Sequence, residues 1–438
     1  MNKVKCKLCE LVEVKNGSTP STAREDFYEG DIVWITPKDL SNNKSKYVYN
    51  SERRITKAGF DSCSTSLLPI GSVLLSSRAP IGLLAICAIE TCTNQGFKNL
   101  VIKKNKINNE YLYYWLKTKV KYIDSLGTGT TFKEVSKGVI ENLEIELPEN
   151  IKDQQKIASV LSALDSKIEL NNRINAELEA MAKTLYDYWF VQFDFPIYNQ
   201  DGTLSGAEGY KTSGGKMIWN EGLKREIPEG WEVQKMAEWL DIDKSGDWGK
   251  EETEGNFTKQ VICFRGADIN GLNGLDELKP PVRWILEKNS FKILKSHDLI
   301  IEISGGSPTQ STGRLAFITD ATIKRFEHPL ICSNFCKPVS MRNKKLLYNF
   351  VYYWNSLYDN GIFFGYEGKT SGIKNLLLDS FISSYYTVVP DEKIVDQFYD
   401  LMDNIQEKKQ TTLAENQKLS ELRDWLLPML MNGQVKVN

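Results

Sequence analysis

Hydrophobic and polar positions follow two different periods along this 438-residue chain. Over about the first 150 residues, short apolar runs are separated by turn residues, which predicts strands at 32–36, 72–76, 83–89, 99–102 and 143–147. One amphipathic helix interrupts them at 109–121, and another lies near 345–358. After Pro148 the period changes. From about 153 to 190 there is neither Gly nor Pro, and Ile157, Leu161, Leu164, Ile168, Asn171, Asn175, Leu178, Ala182 and Leu185 follow steps of four and three, a heptad seam. A second segment, 393–431, carries Phe398, Met402, Ile405, Thr412, Asn416, Leu419 and Leu426 at matching positions. Each helix would be about 50–60 Å long and would expose its apolar stripe if alone, so the two are expected to pair. A chain ordered domain–helix–domain–helix makes that pair antiparallel, with the globular parts at opposite ends about a pseudo-twofold axis. Asn175 and Asn416 correspond at an offset of 241 and are expected to fix its register.

The chain also repeats itself. Leu11-Val-Glu-Val-Lys-Asn-Gly17 lies over Leu240-Asp-Ile-Asp-Lys-Ser-Gly246 at an offset of 229, as does Trp34-Ile-Thr-Pro-Lys-Asp39 over Cys263-Phe-Arg-Gly-Ala-Asp268. The best match is Tyr111-Leu-Tyr-Tyr-Trp115 against Phe350-Val-Tyr-Tyr-Trp354 at 239. Each copy then has a Gly/Thr-rich turn, an apolar strand and a proline, Pro148 or Pro390. The expected fold is α+β: a β-rich domain over 1–150, a long helix over 151–193, a Gly-rich linker over 194–230, a second β-rich domain over 231–390 and a second long helix over 391–438.

Charge is uneven along these parts. The total is −2, yet residues 1–150 carry 21 Lys/Arg against 17 Asp/Glu, a net of +4. The net is −3 over 151–206, zero over 207–390 and −3 over 391–438, so a local basic face is compatible with the slightly negative total. Eight scattered Cys in a Lys-rich chain imply reduced thiols and a cytoplasmic setting. No apolar run approaches a membrane span, and the polar start is unlike a signal peptide. Only two His occur, His297 and His328, which disfavours histidine metal sites and acid–base dyads. Cys6 and Cys9 have zinc-knuckle spacing without a second pair nearby, and Cys332 with Cys336 near His328 reads as buried thiols.

Order, duplication and local motifs together resemble the specificity subunit of type I restriction–modification enzymes. Gly17-Ser-Thr-Pro20 resembles that family's opening motif. Thr212-Ser-Gly-Gly-Lys-Met217 followed by Arg225-Glu-Ile-Pro-Glu-Gly-Trp231 resembles its inter-domain segment, and Ile151-Lys-Asp-Gln-Gln-Lys-Ile-Ala-Ser-Val-Leu161 its first conserved helix. The resemblance implies two target recognition domains, each reading one half of an asymmetric bipartite sequence in double-stranded DNA. The paired helices would act as spacer and docking surface. It also implies two adenine-methyltransferase modification subunits and restriction/translocase subunits as partners, with S-adenosylmethionine, ATP and Mg on those partners and no cofactor or metal in this chain. An orphan module serving another methyltransferase–nuclease is the alternative, and a coiled-coil scaffold without DNA binding a third.

Catalytic motifs are missing. No Asn-Pro-Pro occurs, and the one Pro-Pro, Pro280-Pro281, follows Lys279. Gly368-Lys369-Thr370 imitates the end of a P-loop, but Phe363 stands where its first Gly belongs. Asp298 and Glu302 lack the nuclease lysine, because Ser304 occupies that place. The expectation is a non-catalytic subunit.

DNA contacts want cations and small polar donors on loops. In the first domain two loops qualify: Ser76, Ser77 and Arg78 after a strand, and Gly127, Thr128, Thr130, Thr131 and Lys133. Their counterparts are Ser304, Gly306, Ser307 and Gln310 with Arg314, and Tyr366, Lys369, Thr370 and Ser371 with Lys374. Thr36, Lys38 and Arg265 follow an early strand and are third choices. Ordinary polar β-turns are the competing reading for each loop. Tyr113-Tyr114-Trp115 and Tyr352-Tyr353-Trp354 could stack on bases, but their repetition on helices favours core packing. Tyr186, Tyr188, Trp189 and Phe190 fit either core or a partner surface.

Overall fold

The computed structural model describes residues 2–129, 133–197, 209–307, 309–370 and 372–437. Its contacts divide the chain into two units, Met1–Asn171 with Asn416–Asn438, and Asn172–Glu415.

In the first unit the period-two segments become β1 (Lys3–Lys7), β2 (Val12–Asn16), β3 (Tyr28–Ile35), β4 (Tyr47–Val48), β5 (Arg54–Ile55), β6 (Val73–Ser77), β7 (Ile81–Cys87), β8 (Cys92–Thr93), β9 (Phe97–Ile102) and β10 (Glu144–Pro148). The main sheet runs β2-β9-β6-β7-β4, a smaller one runs β5-β3-β8, and β1 pairs with β10. Helix α1 (Asn109–Ser125) starts where the Asn108 side chain accepts from the Tyr111 amide, a good N-cap. It buries Tyr111, Leu112, Tyr114 and Trp115 against the apolar face of β6 and β7. These aromatics are core, not a stacking platform.

The second unit contains β11 (Met217–Asn220), β12 (Arg225–Pro228), β13 (Glu232–Lys235), β14 (Leu240–Asp241), β15 (Phe257–Phe264), β16 (Val282–Leu286), β17 (Asp298–Glu302), β18 (Ser304–Gly305), β19 (Leu315–Phe317), β20 (Leu330–Cys332), β21 (Cys336–Met341), β22 (Glu367–Thr370), β23 (Ile373–Leu376) and β24 (Tyr386–Val389). Its four-stranded sheet, β14-β21-β17-β19, has the strand order and antiparallel sense of β2-β9-β6-β7. The set β16-β15-β20 has one antiparallel and one parallel pair, as β5-β3-β8 does. The pair β13·β24 stands where β1·β10 stands. Tyr352 and Trp354 are buried as their counterparts in α1 are.

Two further helices carry the heptad seam, α2 (Ile151–Tyr186) and α3 (Glu392–Asn432). Within the first unit Asn171 Nδ2 donates to Asn416 Oδ1 at 2.9 Å and Arg423 pairs with Asp165 at 2.9 Å. Within the second, the Thr412 hydroxyl donates to Asn175 Oδ1 and Lys409 pairs with Glu179 at 2.7 Å. Partner numbers rise on one helix as they fall on the other, so both stretches are antiparallel. Asn175 and Asn416 are both buried, each within its own unit. An offset identifies equivalent positions, whereas an antiparallel interface opposes residues running in opposite senses. At the offset of 241, Asn171 is the equivalent of Thr412 and Asn175 of Asn416, so the two hydrogen bonds are equivalents of each other.

Thr412→Val keeps the shape of that side chain and strands the Asn175 carbonyl inside the seam, where the amide is 5% exposed. A loss of about 1–3 kcal/mol is expected. Urea unfolding of the full chain reads it, and an unchanged midpoint would show that the bond contributes nothing. No helix among the described residues is long and apolar enough to cross a membrane.

Candidate nucleic-acid interface

Five segments of the first unit converge at one end of β6, β7 and β9. Gly17 crosses the end of β8, where a Cβ would collide with the Asn94 carbonyl oxygen, so the backbone passes only because glycine lacks one. Ser18 N donates to the Thr93 carbonyl at 3.0 Å, and the Thr19 hydroxyl donates to the Gln95 side chain. Gly96 lies against Pro37 and accepts from Ser77 N at 2.7 Å. Ser77 O in turn accepts from Val135 N at 3.0 Å, which lays residues 133–135 beside the β6–β7 turn. Thr128 and Glu134 exchange two backbone hydrogen bonds of 2.9 Å and close the 127–133 loop.

This cluster presents Gln95, Thr128 and Lys133 as exposed and Arg78 as half-buried. Its cations are held by carboxylates. Glu134 takes Lys98 at 2.9 Å and Arg78 at 4.0 Å, Asp124 takes Lys133 at 2.9 Å, and Glu52 takes Lys38 at 2.7 Å. The Lys133 and Lys38 pairs are exposed and therefore weak, so a phosphate can take over either cation at little loss, whereas the Lys98 side chain is buried.

The second unit builds the same arrangement with different side chains. Gly246 passes the Ser333 carbonyl as Gly17 passes Asn94. Ile303 N donates to Phe335 O at 2.9 Å, and Leu376 N to Ile303 O at 2.9 Å, repeating the bonds around Ser77. The counterpart of the 127–133 loop is the hairpin β22·β23, in which Lys369 faces Lys374 and Thr370 faces Ile373 through the backbone. Gly306, Gln310 and Asn334 are exposed at this end, and Ser307 accepts from Gln310 N at 3.2 Å. Thr130, Thr131 and Ser371 lie outside the described residues.

Several expected contacts are corrected. Ser76 and Ser77 are fully buried, with their hydroxyls donating to Pro80 O at 2.7 Å and Gly96 O at 3.2 Å, so they tie the turn together. The Thr36 hydroxyl donates to Asp39 Oδ2 at 2.6 Å at a helix N-terminus. Arg265 is not among these: Asp268 engages it through two bonds of 2.8 and 3.0 Å, which raises its pKa, but its side chain stays 40% exposed. Arg314 is clamped by Glu302 in the interior at 2.8 and 2.7 Å, which likewise raises its pKa. Ser304 donates to Asn375 at 2.6 Å, and Tyr366 packs edge-on against Phe381. Lys374 is mostly buried against Glu367 at 3.1 Å. In each case a polar side chain in a turn is satisfied by its own fold, an outcome that residue type alone does not distinguish from ligand contact. Residue type and loop position also miss Gln95 and Asn334. Both sit just before a strand at matching places in the two copies, a signal the repeat alignment contains.

Burial works against the Glu367 charge, but Thr312 N, the Thr312 hydroxyl and Lys374 outweigh it and hold the carboxyl below the usual range. A depressed carboxylate stabilises above its unfolded pKa of about 4.3 and loses that contribution as pH falls through its folded value. Acidification from pH 6 to 3 is therefore expected to loosen the 311–312 and 367–374 contacts. Hydrogen exchange across these segments checks it, and Glu367→Gln should remove the pH dependence there.

A family model described as the type I restriction modification DNA specificity domain matches residues 2–180. The type I restriction enzyme MjaIX specificity subunit of Methanocaldococcus jannaschii is 31% identical over 98% of this chain and 93% of its own length. The HindI specificity subunit of Haemophilus influenzae is 26% identical over 75% of this chain and 76% of its own. The crystal structure of a type I restriction–modification S subunit from M. genitalium has a TM-score of 0.57 and 15% identity, covering 98% of this chain and 96% of that one, which is a likeness of fold.

Proposed function

The chain belongs to the specificity subunits of type I restriction–modification enzymes, and on that premise we propose that each unit reads one half of an asymmetric bipartite DNA target. The observation that carries this reading is the matched strand order of the two units, with a loop cluster at the same strand ends in both and different side chains in each. Equivalent frames with unlike loops suit two unlike half-sites. The first cluster offers Arg78, Gln95, Thr128 and Lys133, and the second Gly306, Ser307, Gln310 and Asn334. Arginine and amide side chains of this kind read guanine and adenine edges in the major groove.

The seam helices serve as spacer and as the docking surface for two adenine-methyltransferase modification subunits, to which restriction/translocase subunits add. Leu170, Met181, Leu401, Leu422 and Trp425 are exposed on these helices and supply apolar contact area for such partners. The chain itself contributes recognition, and S-adenosylmethionine, ATP and Mg belong to the partners in the cytoplasm. Methylome sequencing of cells carrying this chain with its modification subunit, against cells lacking this chain, tests the reading. The expected result is a new adenine-methylation motif of two unlike halves separated by unspecified bases. A contiguous motif, or none despite a stable complex, would overturn it.

A further inference from the structure

The loop cluster of the second unit carries a large apolar side chain, Phe335, in water. It ends the three-residue turn Ser333-Asn334-Phe335 between β20 and β21, and it is 54% exposed. Its backbone is fixed from both sides. Phe335 O accepts from Ile303 N at 2.9 Å and from Ser304 N at 3.1 Å, and Cys336 N donates to Ser333 O at 3.0 Å. A phenyl ring is therefore held out on a rigid turn, next to the exposed Asn334 amide.

The first unit reveals what this turn needs in order to fold. At the offset of 239 its equivalent is Asn94-Gln95-Gly96, between β8 and β9. Asn94 N donates to Ile35 O at 3.0 Å as Ser333 N donates to Phe264 O at 2.8 Å, and Gly96 O accepts from Ser77 N as Phe335 O accepts from Ile303 N. Gly96 is buried, and a Cβ there would lie 3.1 Å from Pro37 Cγ. The equivalent of Pro37 at the offset of 229 is Gly266. One frame thus closes with no side chain at this place, and the other carries an exposed ring there. The turn does not require the ring, and folding buries little of it, so its apolar surface is left for a ligand.

The neighbouring side chains select that ligand. Gln95 and Asn334 are equivalent exposed amides, and an amide of this kind pairs with the adenine edge in the major groove. In an A·T pair the thymine 5-methyl group lies in the same groove, and a phenyl ring is an apolar partner for it, whereas glycine is not. The turn before β22 adds Phe364, 49% exposed, with the Lys374 ammonium 5.0 Å from the centre of its ring. No described residue of the first cluster is an exposed large apolar side chain. On the reading that the loop clusters contact DNA, we infer that Phe335 is a specificity-determining residue of the second half-site. Its ring packs on the 5-methyl group of a thymine at the A·T step read by Asn334, a contact that Gly96 cannot make in the first half-site.

The test uses the full chain assembled with its modification subunit, and duplexes carrying the motif found by methylome sequencing. Each thymine is replaced in turn by uracil, which removes the methyl group and keeps every hydrogen-bonding group of the base. Fluorescence anisotropy reads the Kd. One thymine of the second half-site is expected to cost about fourfold on replacement, the value of burying one carbon group. Phe335→Gly, which copies Gly96, should abolish that loss and leave the response to every thymine of the first half-site unchanged. Phe335→Leu keeps an apolar side chain and should retain the loss, which separates the contact from an effect on folding. A second half-site without thymine, indifference to uracil throughout it, or a loss that persists in Phe335→Gly would each overturn the inference. The reading of the clusters is scored separately by Asn334→Ala: relaxed recognition of the second half-site together with indifference to uracil rejects the role of Phe335 alone, and no specific binding to any bipartite duplex rejects both.

Discussion

Glu302→Ala is expected to destabilise the second unit by about 3–5 kcal/mol, the usual loss when one partner of a buried ion pair is removed. The Glu302 side chain is 7% exposed and that of Arg314 is 16% exposed. The pair is joined by two parallel bonds of 2.8 and 2.7 Å, the bidentate geometry that arginine forms best. Their backbones are locked too, since Glu302 N donates to Arg314 O at 2.8 Å and Gly313 N to Glu302 O at 2.9 Å. Trp354 Nε1 then donates to Gly313 O at 2.7 Å and ties the pair to the aromatic core. Removing the carboxylate leaves a guanidinium with little water around it. Replacing both partners together, as Glu302→Leu with Arg314→Met, should recover most of the loss, because an apolar pair of similar volume avoids the desolvation penalty. Urea unfolding followed by tryptophan fluorescence measures both variants. A loss below about 1 kcal/mol for Glu302→Ala would mean that the pair is solvated, and would return Arg314 to the pool of DNA-contact candidates.

That pair also shows what the sequence can and cannot convey. Strand positions are legible where an apolar run is bounded by turns: the expected 72–76 is found as Val73–Ser77, and the expected 143–147 as Glu144–Pro148. The two-residue strands β4, β5 and β8 are not, because two residues carry no period. The long helices are clear from the seam, down to the burial of Asn175 and Asn416, but pairing across the seam requires knowing the point at which the helices cross. The predicted loops lie at the same strand ends in both units, while several side chains assigned to them are satisfied by the fold itself. Ser76, Ser77 and Arg314 are the residue types that contact DNA, and equally the types that cap turns and fill buried ion pairs. The choice between the two depends on which residue of a distant segment stands opposite, and Glu302 or Gly96 enters that position only through sheet pairing.

The largest functional effect should come from emptying the first loop cluster. Arg78→Ala combined with Gln95→Ala removes an arginine and an amide that converge at the ends of β6 and β9, and each side chain that pairs with a base edge supplies about 1–3 kcal/mol of discrimination. In cells carrying the modification partner, methylation should spread to sites degenerate in one half of the target and remain strict in the other. Gln310→Ala with Asn334→Ala should do the converse. Arg78 is loosely held, reaching Glu134 only at 4.0 Å while Glu134 keeps Lys98 at 2.9 Å, and Gln95, Gln310 and Asn334 are exposed. Co-purification with the modification subunit should therefore survive both changes. Lys133→Ala provides the contrast, since its exposed ammonium suits a phosphate better than a base; it should weaken binding similarly at all sites and reduce the salt slope by about 1. Relaxation of both halves by a single pair, or loss of the complex, would place these residues in subunit assembly and remove the loop clusters from DNA.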